Sequence, residues 1–288
     1  QILVPQFNID KLMELIGSMK EISYFPTVPT MASAIMNHPK AREIEIGKIF
    51  GVMNVGAASC PLELMQQIKN AGIFLTEGWA MSETSCTGTG NPIMGARKLG
   101  SIGIPVSDTD VKLVDLEKGE TEVPLGDPGE LLIKGPQIMK EYWGKPEATE
   151  TAMAGGWFHT GDVVRMDEEG YFFIVDRVKD MINSGGYKVW PREGEEILYT
   201  HPKIRMAMVF GAPDDYYGET VKACIVPKDE AKESITREEI TAFCKKKMAS
   251  YKVPKFIEFR DDLPKSMVGK VLRRVLQEEE AGKRKTSG

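Results

Sequence analysis

Clusters of cysteine and histidine are what this sequence lacks most clearly. Its 288 residues include four cysteines and three histidines, which are scattered along the chain. No two cysteines have the CxxC spacing of a zinc site or a redox pair. The sequence therefore predicts no cysteine–histidine metal centre. Isolated cysteines of this kind are typical of the reducing cytoplasm, where we expect the protein to work.

Long apolar runs and an excess of basic residues are missing as well. No hydrophobic stretch approaches the roughly 20 residues that span a bilayer, so we expect no transmembrane segment. The 37 basic and 42 acidic residues leave a net charge of −5, which argues against a general affinity for nucleic acid. The chain opens with Gln1 inside an apolar stretch and has no signal peptide, so we expect it to be a fragment of a longer protein.

The patterns of helix and strand residues predict a mixed α/β protein of about two domains. Residues 1–95 alternate helical stretches with short apolar strands, whereas residues 96–178 are rich in strands and turns. From residue 179 onward a third pattern mixes helices and strands. Because no low-complexity linker separates the patterns near residue 179, we expect a tight boundary that works as a hinge.

Local signals predict where several elements begin and end. We expect Asp10 to cap the first helix, and Thr236 to open a capping box whose helix reaches Met248. A hairpin is predicted between residues 163 and 175, and residues 281–288 are expected to have no regular structure.

A first polar segment follows a predicted strand at residues 73–76. It reads Gly78-Trp79-Ala80-Met81-Ser82-Glu83. An aromatic ring can stack on a base, a hydroxyl can bond a phosphate, and a carboxylate can hold Mg²⁺. A solvated loop has a similar composition, so the residues alone leave both interpretations open.

Two further segments allow a similar pair of interpretations. Asp162 ends the run Trp157–Asp162 ahead of the predicted hairpin, where its carboxylate suits either a ribose diol or the cap of a turn. Near the predicted hinge, the paired Gly185 and Gly186 permit a close approach of the backbone to a ligand. The charged residues around them are equally typical of a solvated edge.

The fourth segment, Pro264–Lys270, places a lysine beside a glycine close to the end of the chain. Such a lysine can reach a phosphate as a point charge. With 37 lysines and arginines present, one of them alone carries little information.

Together, in this order and spacing, the four segments resemble the motifs of one family. It comprises acyl-CoA synthetases, adenylation domains of peptide synthetases and firefly-type luciferases. The match runs from about Val55 to Lys270. The resemblance implies an AMP-forming acyl-CoA synthetase, a ligase acting on a medium- or long-chain fatty acid with ATP, Mg²⁺ and coenzyme A. It also implies that residues 1–178 are the C-terminal part of a large domain that binds ATP and the acyl group. Residues 179–288 would then form a small mobile lid domain.

The resemblance also implies roles for particular residues. Lys270 would contact the carboxylate and the α-phosphate, Glu83 would bind Mg²⁺, and Lys179 would be the hinge. Gly185 and Gly186 would line the path of coenzyme A. Nucleotide binding would fall to Gly56, Ala57, Ala58, Trp79, Ala80, Met81, Ser82, Asp162 and Arg177.

The acid would be bound partly by residues 24–31, 56–59 and 81. These are mostly small or apolar, which favours an aliphatic or aromatic acid.

One motif of that family is not found in these 288 residues. It is the Ser/Thr/Gly-rich phosphate loop that ends in Pro-Lys-Gly. We therefore expect this chain alone to be inactive in adenylation. Two other functions remain open: a stand-alone adenylation enzyme that loads a carrier protein, and a catalytically inactive family member with a binding role. The joint presence of Glu83, Asp162, Arg177 and Lys270 favours an active enzyme.

Overall fold

The computed structural model describes residues 2–4, 6–58, 60–266 and 270–287. These residues form two compact units. Unit 1 consists of Gln1–Asp110, Lys134–Pro146 and Glu169–Phe173. Unit 2 consists of Val111–Ile133, Glu147–Glu168 and Ile174–Gly288. Both mix helices with strands, which confirms the α/β class predicted from the sequence.

The predicted domain boundary at Lys179 lies inside unit 2. A hinge is defined by a change of conformation, whereas the units are defined by packing within one conformation. The boundary, the division at residues 95 and 96, and the hinge therefore remain predictions.

Unit 1 is an α/β layer. Its helices are α1 (Ile9–Gly17), α2 (Pro29–Met36), α3 (Lys40–Glu43), α4 (Ile46–Ile49) and α5 (Leu62–Asn70). Its strands are β1 (Ile22–Thr27), β2 (Phe50–Val55), β3 (Phe74–Trp79), β4 (Thr89–Gly90) and β5 (Ile104–Pro105). Strands β1, β2 and β3 are parallel neighbours, and β4 and β5 continue the sheet antiparallel. The helices pack their apolar faces in one core with the parallel strands, in which Met13 of α1, Ile35 of α2, Met53 of β2 and Ile68 of α5 are fully buried.

Unit 2 holds most of the remaining elements. The strands that lie wholly or mostly in unit 2 are β6 (Asp110–Val114), β7 (Gly129–Lys134), β8 (Phe158–Met166), β9 (Phe172–Arg177), β10 (Ile182–Ser184), β11 (Tyr187–Val189), β12 (Ile204–Asp214), β13 (Gly218–Pro227) and β14 (Phe256–Phe259). Its helices are α6 (Pro146–Ala152), α7 (Pro191–Tyr199), α8 (Arg237–Lys245) and α9 (Arg273–Ser287).

Two sheets organise unit 2. One has the strand order β6-β7-β8-β9, and the other has the order β11-β10-β13-β12 with β14 paired to β13. Along β13, alternate residues are buried on opposite faces of the sheet, as a strand with a period of two requires. Ala223 and Ile225 pack with Leu198 of α7 and Ile240 of α8, whereas Cys224 packs with Leu276 of α9. The sheet is therefore covered on both faces.

Several local expectations were wrong. Asn8, not Asp10, caps α1, because its side chain accepts a hydrogen bond from the Lys11 N–H group. Helix α8 ends at Lys245 and does not reach Met248. Helix α9 continues through residues 281–287, while Gly288 lies outside the described residues. Among the described residues, no helix has the length and apolarity that crossing a membrane requires.

Candidate functional site

The first group of candidate residues lies where β2 and β3 end. These strands are parallel and in register, with Val55 opposite Glu77. Gly56–Ala58 follow β2, and Ala80–Glu83 follow β3, so both segments leave the same edge of the sheet. The carboxyl ends of parallel strands are where ligands of open α/β sheets bind.

The turn after β2 has a strained backbone. Ala57 adopts a φ of 64°, in the left-handed region that side chains with a Cβ atom rarely occupy. The N–H group of Gly56 donates to the carbonyl oxygen of Thr27 at 3.1 Å, which extends the ladder between β1 and β2. The neighbouring Ser59, expected in the acid pocket, lies outside the described residues. Strain held by a strand ladder is typical of functional turns.

Trp79 is part of β3 and does not belong to a loop after it. Its side chain is 9% exposed. A Cβ atom at Gly88 would lie 2.5 Å from two ring carbons of the indole, so the backbone of Gly88 lies close against the ring. Stacking of Trp79 on adenine therefore remains a prediction that depends on the part of the ring that stays accessible.

Ser82–Thr84 form a single 3₁₀ turn directly after this strand. The buried hydroxyl of Thr84 donates to the Met81 carbonyl oxygen and accepts from the Met81 N–H group, both at 3.1 Å. This pair of hydrogen bonds fixes the turn, which leaves Ser82 exposed and Glu83 half-buried.

A second segment of unit 1 holds Glu83 in place. The phenol of Tyr142 donates to Oε1 of Glu83 at 2.9 Å, and the Met139 N–H group donates to the Glu83 carbonyl oxygen at 2.8 Å. Ser85 Oγ donates to the carbonyl oxygen of Gln137 at 2.8 Å. Burial raises the pKa of Tyr142, and its hydrogen bond to Glu83 raises it further. Tyr142 therefore stays protonated as a donor to the carboxylate.

Sequence reasoning missed Tyr142, which lies 59 residues after Glu83. The sequence feature that could have indicated it is the aromatic pair Tyr142-Trp143, which follows the turn residues Gly135-Pro136.

The chemistry of Glu83 fits the predicted Mg²⁺. Magnesium in nucleotide sites is usually bound by one or two carboxylates together with phosphate oxygens and water. A single half-buried carboxylate matches that pattern. Among the described residues, there is no group of three or more His, Cys, Asp or Glu side chains suited to a metal ion.

In unit 2, Asp162 lies within β8, not ahead of the hairpin. Its side chain is buried, with an exposed fraction of 8%, and Nε of Arg177 donates to its Oδ1 at 3.1 Å. A carboxylate has about four acceptor positions, so it can bind this guanidinium and still accept hydrogen bonds from hydroxyl groups. The structure therefore brings together two residues that the sequence placed in separate segments.

Lys270 belongs to the same neighbourhood. Burial lowers its pKa, nearby Arg177 and Lys179 lower it further, and Asp162 and Asp180 act in the opposite direction. The Lys270 N–H group donates to Ser266 Oγ at 3.1 Å, and the Ser266 N–H group donates to the Lys270 carbonyl oxygen at 2.8 Å. These bonds fix the backbone of the lysine. Residues 267–269 of the predicted motif lie outside the described residues.

Arg273 holds the segment around Lys179. Its guanidinium donates to Asp180 at 2.6 Å and to Glu195 at 2.9 Å, and it lies 3.5 Å from Asp176. Burial opposes its charge, but the three carboxylates outweigh burial and raise the pKa of Arg273. Lys179 itself is exposed between Asp176 and Asp180.

The paired glycines connect β10 to β11. Gly185 and Gly186 have φ values of 58° and 87°, which favour glycine. The Gly185 N–H group donates to the carbonyl oxygen of Tyr217 at 2.9 Å, and a Cβ atom at Gly185 would lie 2.7 Å from the Tyr217 ring. Close approach of an aromatic ring therefore requires glycine at Gly185.

The candidate residues thus form two sets. Unit 1 holds Gly56–Ala58 and Trp79–Glu83, and unit 2 holds Asp162, Arg177, Lys179, Gly185, Gly186 and Lys270. Their roles in binding and catalysis remain predictions.

Family models match most of the chain. Residues 2–143 match the model described as "AMP-binding enzyme", and residues 193–270 match the one described as "AMP-binding enzyme C-terminal domain".

Individual relatives are similar over nearly the whole chain. A long-chain-fatty-acid–CoA ligase of Bacillus subtilis (strain 168) is 45% identical over 97% of this chain and 49% of its own length. A feruloyl-CoA synthase of an Amycolatopsis species is 40% identical over 85% of this chain and 49% of its own length. The crystal structure of ATP-bound MatB from Rhodopseudomonas palustris has a TM-score of 0.88 at 31% identity, covering 96% of this chain and 54% of that one. The chain spans about half of the length of the curated relatives it matches.

Proposed function

Since the chain belongs to the family of AMP-binding enzymes, we propose that the full-length protein that contains it activates a carboxylic acid with ATP and transfers the acyl group to coenzyme A. The observation that carries the proposal is the neighbourhood of Asp162, Arg177 and Lys270 in unit 2. It combines a buried carboxylate suited to a diol with a lysine suited to a phosphate.

The first step is adenylation. A carboxylate is a poor electrophile, so it must be activated before a thiol can attack it. Its oxygen attacks the α-phosphorus of ATP, which forms an acyl-adenylate and releases pyrophosphate. Negative charge grows on the α-phosphate oxygens, and the ammonium group of Lys270 stabilises that charge in the transition state. Mg²⁺, held by Glu83 when it is bound, supplies further positive charge beside the phosphates.

Positioning of the nucleotide falls to the other candidate residues. Asp162 accepts hydrogen bonds from the ribose hydroxyls while Arg177 holds its Oδ1 atom. The turn at Gly56–Ala58 and the segment Trp79–Ser82 bind the adenine and a phosphate. Such contacts hold ATP and the acid close together in a reactive geometry.

The second step is thioester formation. The sulfur of coenzyme A attacks the acyl carbon, the bond to AMP breaks, and acyl-CoA leaves with AMP as the second product. We propose that the lid, residues 179–288, turns about Lys179 between the two steps. This movement removes Lys270 from the site and brings the backbone of Gly185 and Gly186 to the path of coenzyme A.

A medium- or long-chain fatty acid is the proposed substrate. The long-chain ligase of Bacillus subtilis supports it, as do the mostly small or apolar residues of the expected pocket. The similarity to a feruloyl-CoA synthase is the reason to test aromatic acids as well. We further propose that this chain alone does not adenylate, because the phosphate loop of the family is not found in its sequence, and that the protein acts in the cytoplasm.

The test is acid-dependent release of pyrophosphate by the full-length protein, with acids from acetate to palmitate and a set of aromatic acids. Each acid is tested with and without coenzyme A. Release with one acid class, and acyl-CoA only when coenzyme A is present, is the expected result. Release without a thioester would favour a carrier-loading enzyme. No release with any acid would contradict the proposed activity and favour a binding role.

A further inference from the structure

Asp162 lies at an irregularity in the pairing of β7 with β8. Glu130 is opposite Val163, but Leu132 is opposite His159, so the single residue between them on β7 faces three residues of β8. The extra residues form a bulge at Thr160–Asp162. Bulges of this kind re-aim a side chain, because they break the regular alternation of the strand.

The carboxylate of Glu130 supports this bulge from the neighbouring strand. Its Oε1 accepts a hydrogen bond from the Gly161 N–H group at 3.0 Å, and its Oε2 lies 3.3 Å from Nδ1 of His159. The Glu130 side chain is 16% exposed. Both oxygens of a largely buried carboxylate are thus used on residues 159 and 161.

Thr160 completes the support. Its hydroxyl donates to the Leu131 carbonyl oxygen at 2.7 Å and accepts from the Asp162 N–H group at 3.1 Å. Two side chains, Glu130 of β7 and Thr160 of β8, therefore tie the backbone at residues 161 and 162 to β7. Gly161 has a φ of 69°, so glycine suits the turn of the chain at this point.

We propose that Glu130 is a positioning residue for Asp162, which fixes the bulge so that the Asp162 carboxylate faces the ribose hydroxyls. This inference rests on the proposed function, since it deepens the role of Asp162 in nucleotide binding. Without Glu130, the Gly161 N–H group loses its acceptor and the bulge can slip. A slip of one residue turns alternate side chains to the opposite face of a strand.

The consequence is specific to the ribose. Ribose hydroxyls are bound alike in the ground state and in the transition state, so a misplaced Asp162 raises KM for ATP and changes kcat little. A nucleotide without these hydroxyls loses nothing when Asp162 moves. Glu130 should therefore govern how strongly ATP is preferred over 2′,3′-dideoxy-ATP.

The test compares four variants of the full-length protein: Glu130→Ala, Glu130→Gln, Asp162→Asn and the double variant of Glu130→Ala with Asp162→Asn. Glu168→Ala, in the exposed turn between β8 and β9, is the matched control. Dissociation constants of ATP and 2′,3′-dideoxy-ATP come from titration calorimetry, and KM and kcat come from pyrophosphate release. Thermal unfolding checks that each variant is folded.

We expect Glu130→Ala to weaken ATP binding about tenfold, as for a lost hydrogen bond to a charged group, and to leave binding of the dideoxy nucleotide unchanged. Glu130→Gln, which keeps an acceptor for Gly161, should recover most of the loss. Adding Glu130→Ala to Asp162→Asn should have little further effect.

Equal weakening of both nucleotides by Glu130→Ala would overturn the inference, and so would a full additional loss in the double variant. If the parent protein binds ATP with the expected preference but releases no pyrophosphate with any acid, the proposed reaction fails and the inference stands. If it does not bind ATP at all, both fail.

Discussion

Arg177 and Asp162 form an ion pair between β9 and β8, with 3.1 Å between Nε and Oδ1. The aspartate is buried, whereas 44% of the arginine side chain is exposed. The arginine therefore restrains one oxygen of the carboxylate from the solvent side. The pair restrains the Asp162 carboxylate, which we propose accepts hydrogen bonds from the ribose hydroxyls.

Asp162→Asn should impair nucleotide binding more than chemistry. The amide keeps one acceptor oxygen but loses its charge, and charge-assisted hydrogen bonds are about twice as strong as neutral ones. We expect KM for ATP to rise about tenfold or more, with a much smaller change in kcat. Initial rates of pyrophosphate release over a range of ATP concentrations measure this. A fall of kcat at unchanged KM would contradict a role in binding.

Tyr142→Phe should loosen Glu83 without removing it. The change deletes only the hydroxyl that donates to Oε1 of Glu83 at 2.9 Å. We expect a higher Mg²⁺ requirement for pyrophosphate release, by about tenfold, as for other residues that orient a metal ligand. Mg²⁺ titration at fixed ATP measures it, and Tyr216→Phe, whose side chain is 85% exposed, is the control. An unchanged Mg²⁺ dependence would mean that Glu83 does not bind the metal or does not need Tyr142.

Lys270→Gln should abolish the first step selectively. Loss of the ammonium group that stabilises the α-phosphate should lower pyrophosphate release about 100-fold or more. Transfer from a supplied acyl-adenylate to coenzyme A should persist, because we propose that Lys270 leaves the site before this step. An equal loss in both steps would argue against the role of Lys270.

The pKa of Lys270 also predicts a pH dependence. Because burial lowers this pKa from its ordinary 10.5, the lysine loses its charge, and adenylation its rate, at a lower pH than an exposed lysine would. Lys270→Arg stays charged, so its profile should lack this alkaline decline. If the adenylation rate of both proteins falls at the same pH, a group other than Lys270 causes the fall.

Stability should depend on pH through His201. Its side chain is 4% exposed, and its Nδ1 accepts a hydrogen bond from the Lys203 N–H group. Burial lowers its pKa from the ordinary 6.5, against the pull of Glu239. The folded state therefore prefers the neutral ring, and this stabilisation is full above pH 6.5 and is lost as the pH falls. In urea unfolding, His201→Asn should keep the acceptor and reduce the loss of stability between pH 7 and 5. If the loss of stability between pH 7 and 5 is the same in this variant, His201 is not its source.

Gly194→Ala should stabilise the protein. Gly194 is buried inside α7, where glycine costs about 1 kcal/mol relative to alanine. A Cβ atom there would lie 3.4 Å from Cγ2 of Val209, which is an ordinary contact. We expect a gain of up to about 1 kcal/mol in the free energy of urea unfolding. Gly186→Ala, at a φ of 87° with open space around it, should instead destabilise.

The sequence was a good guide where the signal is local. The N-cap predicted at Thr236 is present, with its Oγ1 accepting from the Glu239 N–H group at 3.1 Å, whereas the Glu239 side chain binds Lys203 and does not complete the predicted capping box. The helices that begin at Pro29 and Pro191 start there because proline suits the first helical turn. Strand β1 was not predicted, and its Pro26 is a residue that argues against a strand. A proline is tolerated there, since β1 is an edge strand of its sheet.

The sequence was a poor guide where distant segments meet. Nothing near Glu83 indicates that Tyr142 donates to it, because that contact depends on the path of the chain between them. Likewise, the spacing of Glu130 and Asp162 does not reveal a bulge, which exists only in the pairing of β7 with β8. The family motifs predicted residues for the chemistry, but they did not predict the residues that hold them in place.

Unit 1 is assembled from three stretches of the chain, and the last of them ends at Phe173. During synthesis, its first 110 residues leave the ribosome without the segment that carries Tyr142. Ser101 and Ile102 also lack their partner until Phe172 is synthesised, because its carbonyl oxygen accepts from the Ser101 hydroxyl and the Ile102 N–H group. Completion of this unit therefore lags behind its N-terminal part by more than 60 residues of translation. During that interval the nascent chain contains all five strands of the unit 1 sheet but lacks the segments that carry Tyr142 and Phe172, and it presents this unfinished unit to chaperones.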